Sequence, residues 1–273
     1  MRITITTLAL LLAFVLGARA QEPEYISFYD GATTRYVGYN PSGDDIVTLD
    51  DYNGQALSYF TLNNRTLFKD GSWNTLCLPF NYAVDGDVLN GAEAHTLSSS
   101  SFDNGTLTLN FSARVSTLQA GVPYIIRWGE DSDLENPVFA MYSTVTLNTT
   151  LTPVTTGCVD FVGSYTPVPL DANDRTKLYL GNANTLYYPN SAVTIGPCRA
   201  HFVLKGITAG DKPIEARAFV LNFGDNESVG ISMPKEDRKE GVASGWFTLD
   251  GRRLSGKPTQ HGVYIKGTTK HTF

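Results

Sequence analysis

The sequence predicts an all-β protein: an antiparallel β-sandwich of the jelly-roll or immunoglobulin-like class, followed by a small C-terminal β unit. Three observations predict it. Short runs of alternating polar and apolar residues recur along the chain, as in "TLTLNF", where Leu107, Leu109 and Phe111 fall on one face. Turn residues punctuate these runs at close intervals; Asp103-Asn104-Gly105 is the clearest case, because Asn and Gly tolerate positive φ. Helical 3.6-residue periodicity is nearly absent, while Gly, Pro, Asn, Thr and Tyr are plentiful.

The elements follow in chain order. Residues 1–20 read as a signal peptide: Arg2 supplies the positive start, an apolar run extends from Leu8 to Leu16, and Ala18-Arg19-Ala20 offers small residues for cleavage before Gln21. That run is well short of the roughly 20 residues that span a bilayer, so the mature chain is expected to carry no transmembrane span. No cysteine follows the cleavage site to take a diacyl anchor. The expected localisation is therefore exported, at the outer-membrane surface or extracellular.

Residues 21–224 read as the sandwich body. Strands are expected near Ser58, Trp73, Thr106, Tyr124, Thr144, Val159, Ala200 and Ala216, with a hairpin in "KLYLGNANTLYYP" turning about Gly181 to Asn184. Trp73, Leu76, Leu78, Tyr124, Ile126 and Trp128 are grouped as one core by shared strand faces. Residues 225–241 carry mixed charge, one Pro and no sustained apolar face, and read as a linker. Residues 242–273 form the tail. There "WFTLDGRRL" is a strand, an Asp250-Gly251 turn and a returning strand, and "GVYI" is a third strand. Three such strands bury little by themselves, so the tail reads as a recognition element.

Charge and motifs narrow the function classes. A formal charge of −6 argues against a nucleic-acid partner. The histidines His95, His201, His261 and His271 are scattered, and the chain has no H-E-x-x-H pair, no C-x-x-C, no G-x-S-x-G elbow and no phosphate loop. His201 is expected on a solvent-facing strand position. "DGDVLN" at Asp85 lacks the downstream Glu of a calcium loop and reads as a polar turn. Catalytic, cofactor and metal residues are therefore each read as none. Cys77, Cys158 and Cys198 make an odd count, each in an apolar neighbourhood, so at least one is unpaired within the chain; a Cys158–Cys198 disulfide is permitted in an oxidising compartment.

Aromatic residues crowd the mature N-terminus (Tyr25, Phe28, Tyr29, Tyr36, Tyr39) and close the hairpin at Tyr187-Tyr188. Period-2 aromatics in strands commonly serve the core, but exposed ones stack on sugar faces. Tyr36, Tyr39, Tyr187 and Tyr188 are the candidate ligand platform.

The tail resembles the C-terminal segments of secreted and surface proteins of Bacteroidota, where W-x-T-L-D-G-R-R-L…K-P-x-x-x-G-x-Y-I recurs. Trp246, Leu249, Asp250, Gly251, Arg252, Gly262 and Tyr264 carry the match. Such tails are similar to the C-terminal sorting domains of type IX secretion cargo, which implies the secretion machinery as a partner. The chain departs from the pattern at its end, where "KGTTKHTF" replaces a basic-apolar strand. Blocks of the body, including "RTLFKDGSWNTLCLPF", "LQAGVPYIIRW" and "RAHFVL", resemble a β module of uncharacterised Bacteroidota surface proteins. The reading that follows is a non-catalytic, adhesin-like protein binding glycan or protein at the cell surface. The alternative is a secreted glycosidase-like hydrolase using two of the clustered carboxylates Asp44/Asp45, Asp50/Asp51, Asp85/Asp87 and Asp131/Asp133.

Overall fold

The computed structural model describes residues 22–43, 45–129, 131–181, 184–210, 215–216 and 218–224, and the backbone of strands Ser228–Ser232, Trp246–Thr248, Arg253–Leu254, Val263–Lys266 and Thr269–Thr272. The expected signal peptide lies outside the described residues. Described regular structure is all strand apart from one short 3-10 turn, Leu49–Tyr52. The fold is all-β, built of packed antiparallel sheets, as the alternating runs predict.

Four sheets of three or more strands make the body, with three two-stranded pairs beside them. A front sheet runs Val138–Thr146, Ala56–Asn63, Tyr25–Tyr29, Thr34–Val37 in spatial order. A central sheet has Tyr124–Arg127 between Asn74–Leu76 and Glu93–His95. A five-stranded sheet places Arg199–Leu204 between Val159–Ser164 and Lys177–Leu180, with Val154–Thr155 and Leu186–Tyr187 at its edges. The fourth sheet orders Ser228–Ser232, Ala218–Asn222, Thr106–Phe111, Leu97–Asp103, and in it Ala218–Asn222 runs parallel to Thr106–Phe111. The Asn104-Gly105 turn closes the hairpin of that sheet with φ of 49° and 82°, so both central residues adopt the positive φ that the sequence suggests.

The apolar side chains gather in two cores rather than the one expected. Ile26, Phe28, Phe60 and Phe139 of the front sheet meet Leu76, Leu78, Tyr124, Ile126 and Trp128 in the first. Leu107, Leu109 and Phe219 meet Phe161, Leu178 and Phe202 in the second. Trp73 belongs to this second core, and so does Ile125. The reason is the period of a strand: Tyr124 and Ile126 point one way from the central sheet and Ile125 the other. Trp73 is buried as expected but on the opposite face from Leu76. The central sheet thus contributes apolar side chains to a core on each face.

Arg65 joins the sheets where the cores adjoin. It is buried, its Nη1 donates to the Cys198 carbonyl at 2.8 Å, and its Nη2 donates to the Thr75 carbonyl. Burial pushes its guanidinium down to about 9, with Arg199 adding repulsion and Glu24 opposing, so it stays charged at neutral pH.

One expectation is corrected here, and one permitted pairing is not formed. His201 is buried, not solvent-facing: its strand is interior to the five-stranded sheet, and the face away from the second core is covered as well. Cys158 and Cys198 are not brought together: Cys158 Sγ lies 3.2 Å from Ser100 Oγ at the margin of the second core, whereas Cys198 is in the first.

Beyond the body, Ser228–Ser232 pairs with Ala218–Asn222, so the segment read as a linker from residue 225 opens with a strand. The tail strands form a sheet of their own, ordered Arg253–Leu254, Trp246–Thr248, Val263–Lys266, Thr269–Thr272. The last of these, in the polar "TKHT", adds a fourth strand to the three expected. Trp246 and Tyr264 lie on strands with Thr248 opposite Tyr264; Leu249, Asp250, Gly251, Arg252 and Gly262 lie outside the described residues.

Candidate functional site

The second face of the central sheet builds the site. On Glu93–His95, Ala94 enters the first core, which leaves Glu93 and His95 on the opposite face beside Arg127. Glu93 stands directly across from Arg127 in register, and the two form an ion pair. Phe111, at the end of its strand, and Phe223, just beyond Ala218–Asn222, close this side of the second core.

The rings form a column. Phe223 stacks on Trp73 at 4.6 Å and on Phe111 at 5.1 Å, with interplanar angles of 15° and 16°. His95 meets both Trp73 and Phe223 edge-on. The Arg127 guanidinium lies 4.6 Å from the Trp73 ring centroid, a cation–π contact. His95 Nδ1 sits 2.8 Å from the Ser112 carbonyl, which can only accept, so Nδ1 carries a proton.

The chain after Phe111 then runs alongside Ala94, with Val115 N–H donating to the Ala94 carbonyl at 2.9 Å and Ser112 N–H to Thr96 at 2.8 Å. This places Arg114 at the lip of the same face, tethered by a donation from Nη2 to the Ala92 carbonyl. Arg114 lines three adjoining hollows of about 350, 350 and 500 Å³. Together they form a groove that passes from Asp85 and Asn90, past Glu93 and Arg127, to His95 and Phe223. Among the described residues Arg114 has no carboxylate partner, and its side chain is exposed. The groove therefore offers one uncompensated guanidinium, a second one over an aromatic column, and an imidazole.

A second cleft, of about 430 Å³, lies between Glu22–Glu24 and Val193–Gly196. Of its three charged side chains, Glu24 and Arg199 are paired and Glu22 stands at the edge. Glu24 holds Arg199 through two oxygens, with Nε to Oε2 at 2.8 Å. Burial raises the Glu24 carboxyl and Arg199 outweighs it, leaving the group below its ordinary value. A Cβ at Gly196 would come within 2.0 Å of Glu24 Oε2, so a larger residue there would displace the carboxylate from Arg199.

The four platform tyrosines separate into two clusters. Tyr36 and Tyr39 are half-buried and gather on Tyr25, at 6.2 and 5.4 Å. Tyr187 stacks on Tyr179 at 5.9 Å, while Tyr188 is buried in the second core with Arg175 at 4.9 Å from its ring. The groove residues Glu93, His95, Arg114 and Arg127 carried no signal in the sequence beyond ordinary strand positions; only Arg127, one residue before Trp128 in an apolar strand, marks a charge where burial is the rule. Among the described residues no group of three or more His, Cys, Asp or Glu is placed to hold a metal ion, and no helix is long and apolar enough to cross a membrane. No family model, curated protein or solved structure matches the chain.

Proposed function

We propose that this chain is an exported, non-catalytic binding protein of the cell surface, and that the groove around Arg114 takes an acidic glycan. The observation that carries the reading is the unpaired Arg114 at the lip of a groove that also holds Arg127 above an aromatic column. A guanidinium recognises a carboxylate or sulfate through paired N–H donors, and an aromatic edge and face supply the apolar contact that a sugar ring needs. The hydrolase alternative needs two carboxylates facing each other across a cleft. In the Arg114 groove Glu93 is engaged by Arg127, and in the second cleft Glu24 is engaged by Arg199. Among the described residues that leaves Asp85 in the groove and Glu22 in the cleft, one unengaged carboxylate in each where the reaction needs two. The tail is assigned to export and sorting, on its resemblance to cargo tails and on its separate sheet.

Titration calorimetry of the mature protein against a uronic-acid oligosaccharide and its neutral counterpart tests the binding reading. The acidic sugar binds and Arg114→Ala weakens it at least about tenfold, the worth of one charge-assisted contact. Equal affinity for both sugars, or an indifferent Arg114→Ala, overturns it. Deleting residues 242–273 tests the sorting reading: the shortened protein stays in the periplasm, and its arrival at the cell surface would refute the assignment.

A further inference from the structure

The three cysteines stand as free thiols, and two of them meet where the cores adjoin. Cys77 follows the central-sheet strand Asn74–Leu76, and Cys198 precedes Arg199–Leu204 of the five-stranded sheet. They are about 120 residues apart in sequence. The Cys77 N–H donates to the Cys198 carbonyl at 3.1 Å, and the Cys198 N–H donates to the Ser164 carbonyl at 2.7 Å. The first of these hydrogen bonds brings the Cys77 and Cys198 backbones into direct contact, and a disulfide needs Cα atoms within roughly 4.4–6.8 Å of each other. Both side chains are fully buried in the same core.

The surroundings are shaped around this pair. Gly163 leaves room for the Cys77 sulfur: a Cβ there would come within 2.3 Å of Sγ. Cys198 holds a φ of 54°, a left-handed backbone that residues with side chains seldom adopt, fixed here by the hydrogen bonds on either side and by Arg65 on its carbonyl. The Tyr165 hydroxyl reaches the Leu78 and Asn148 carbonyls, each at 3.3 Å, so it keeps acceptors whatever the state of Cys77. Cys158 is set apart, at the margin of the other core beside Ser100.

We propose that Cys77 and Cys198 form a disulfide when the chain folds under oxidising conditions, a cross-link that ties the central sheet to the five-stranded sheet and leaves Cys158 as the single thiol. The bond forms while the chain is still open, since in the closed structure burial pushes the Cys77 thiol up to about 12 and excludes reagents. With oxidised glutathione as the oxidant, one cysteine thiolate attacks a glutathione sulfur and expels glutathione thiolate. The second cysteine then attacks the mixed disulfide and expels the other. One glutathione disulfide is reduced to two glutathione thiols, and two protein thiols lose their protons and become one disulfide. The inference is independent of what the groove binds.

The test is refolding of the reduced, denatured full mature chain in a mixture of oxidised and reduced glutathione, followed by thiol titration under denaturing conditions and non-reducing peptide mapping. One thiol per chain titrates, the protein is lighter by two hydrogen atoms, and the linked peptides contain Cys77 and Cys198. Cys158→Ser gives the same linkage and no free thiol. Three titratable thiols after oxidative refolding, or a linkage that includes Cys158, overturns the proposal. Mapping the wild-type chain decides the matter even where a Cys77 or Cys198 variant fails to fold.

Discussion

Trp73 sits where three things converge: its backbone N–H donates to Asn184 Oδ1 at 2.6 Å, its ring underlies the Arg127 guanidinium, and Phe223 stacks on it. Trp73→Ala removes that column's base, and we expect a loss of about 3–5 kcal/mol in chemical denaturation. A loss below about 1 kcal/mol would mean that the ring is not packed as described. His201 makes a different kind of contribution. Burial, with Lys177 as a second cause, pushes its pKa down to about 4, and Nδ1 has no partner among the described residues. The unfolded chain protonates its histidine near pH 6.5, whereas the folded chain resists until about pH 4. Stability is therefore unaffected above pH 6.5 and falls as pH drops through this window, by roughly 3 kcal/mol at the low end. His201→Asn should flatten the difference between urea midpoints at pH 7.5 and pH 4.5; an unchanged difference would place the titration elsewhere. Neither the burial of His201 nor the role of Arg65 is legible from the sequence. A strand's alternation shows which residues share a face, but not that the second face is covered as well.

At the scale of elements, Val159–Ser164 depends on a glycine. Gly163 stands opposite Ala200 in the sheet, and any side chain there would run into the Cys77 Sγ and Cβ. Gly163→Ala is expected to cost about 1–3 kcal/mol, the usual price of overpacking a filled core, read as a lowered denaturation midpoint. An unshifted midpoint would show that Cys77 can swing aside. Elements were readable where apolar alternation coincided with turn chemistry. Thr106–Phe111 begins and ends where the pattern does, and the turn before it adopts the backbone that Asn-Gly favours. Leu97–Asp103 offers mostly serines, whose burial alternates little, so nothing in its side chains announces a strand; it is specified by pairing with its neighbour. Glu93–His95, which carries the groove, is three residues long and too brief for any period to show.

For the molecule as a whole, the sequence shows the class of fold but not the number of cores, because Trp73 and Ile125 stand close in sequence to Leu76 and Ile126 yet enter the other core. The sheet shared between the cores should make the body unfold in a single cooperative step, since neither core keeps its wall without the other. The order in which the walls are made has its own consequence. Thr106–Phe111 is paired on one side by Leu97–Asp103, its immediate neighbour in sequence, but on the other by Ala218–Asn222, which lies more than a hundred residues downstream. At a synthesis rate of about 5–20 residues per second, the partner strand arrives roughly 5–20 s after the strand it must cover. Throughout that interval an unpaired backbone edge stays open beside Leu107 and Leu109, and the second core lacks Phe219 and Leu221. A chain ending at residue 210 should accordingly bind a hydrophobic dye and aggregate, whereas the same chain extended to residue 232 should do neither. A nascent chain that cannot close early stays threadable, which is the state that a translocation channel accepts.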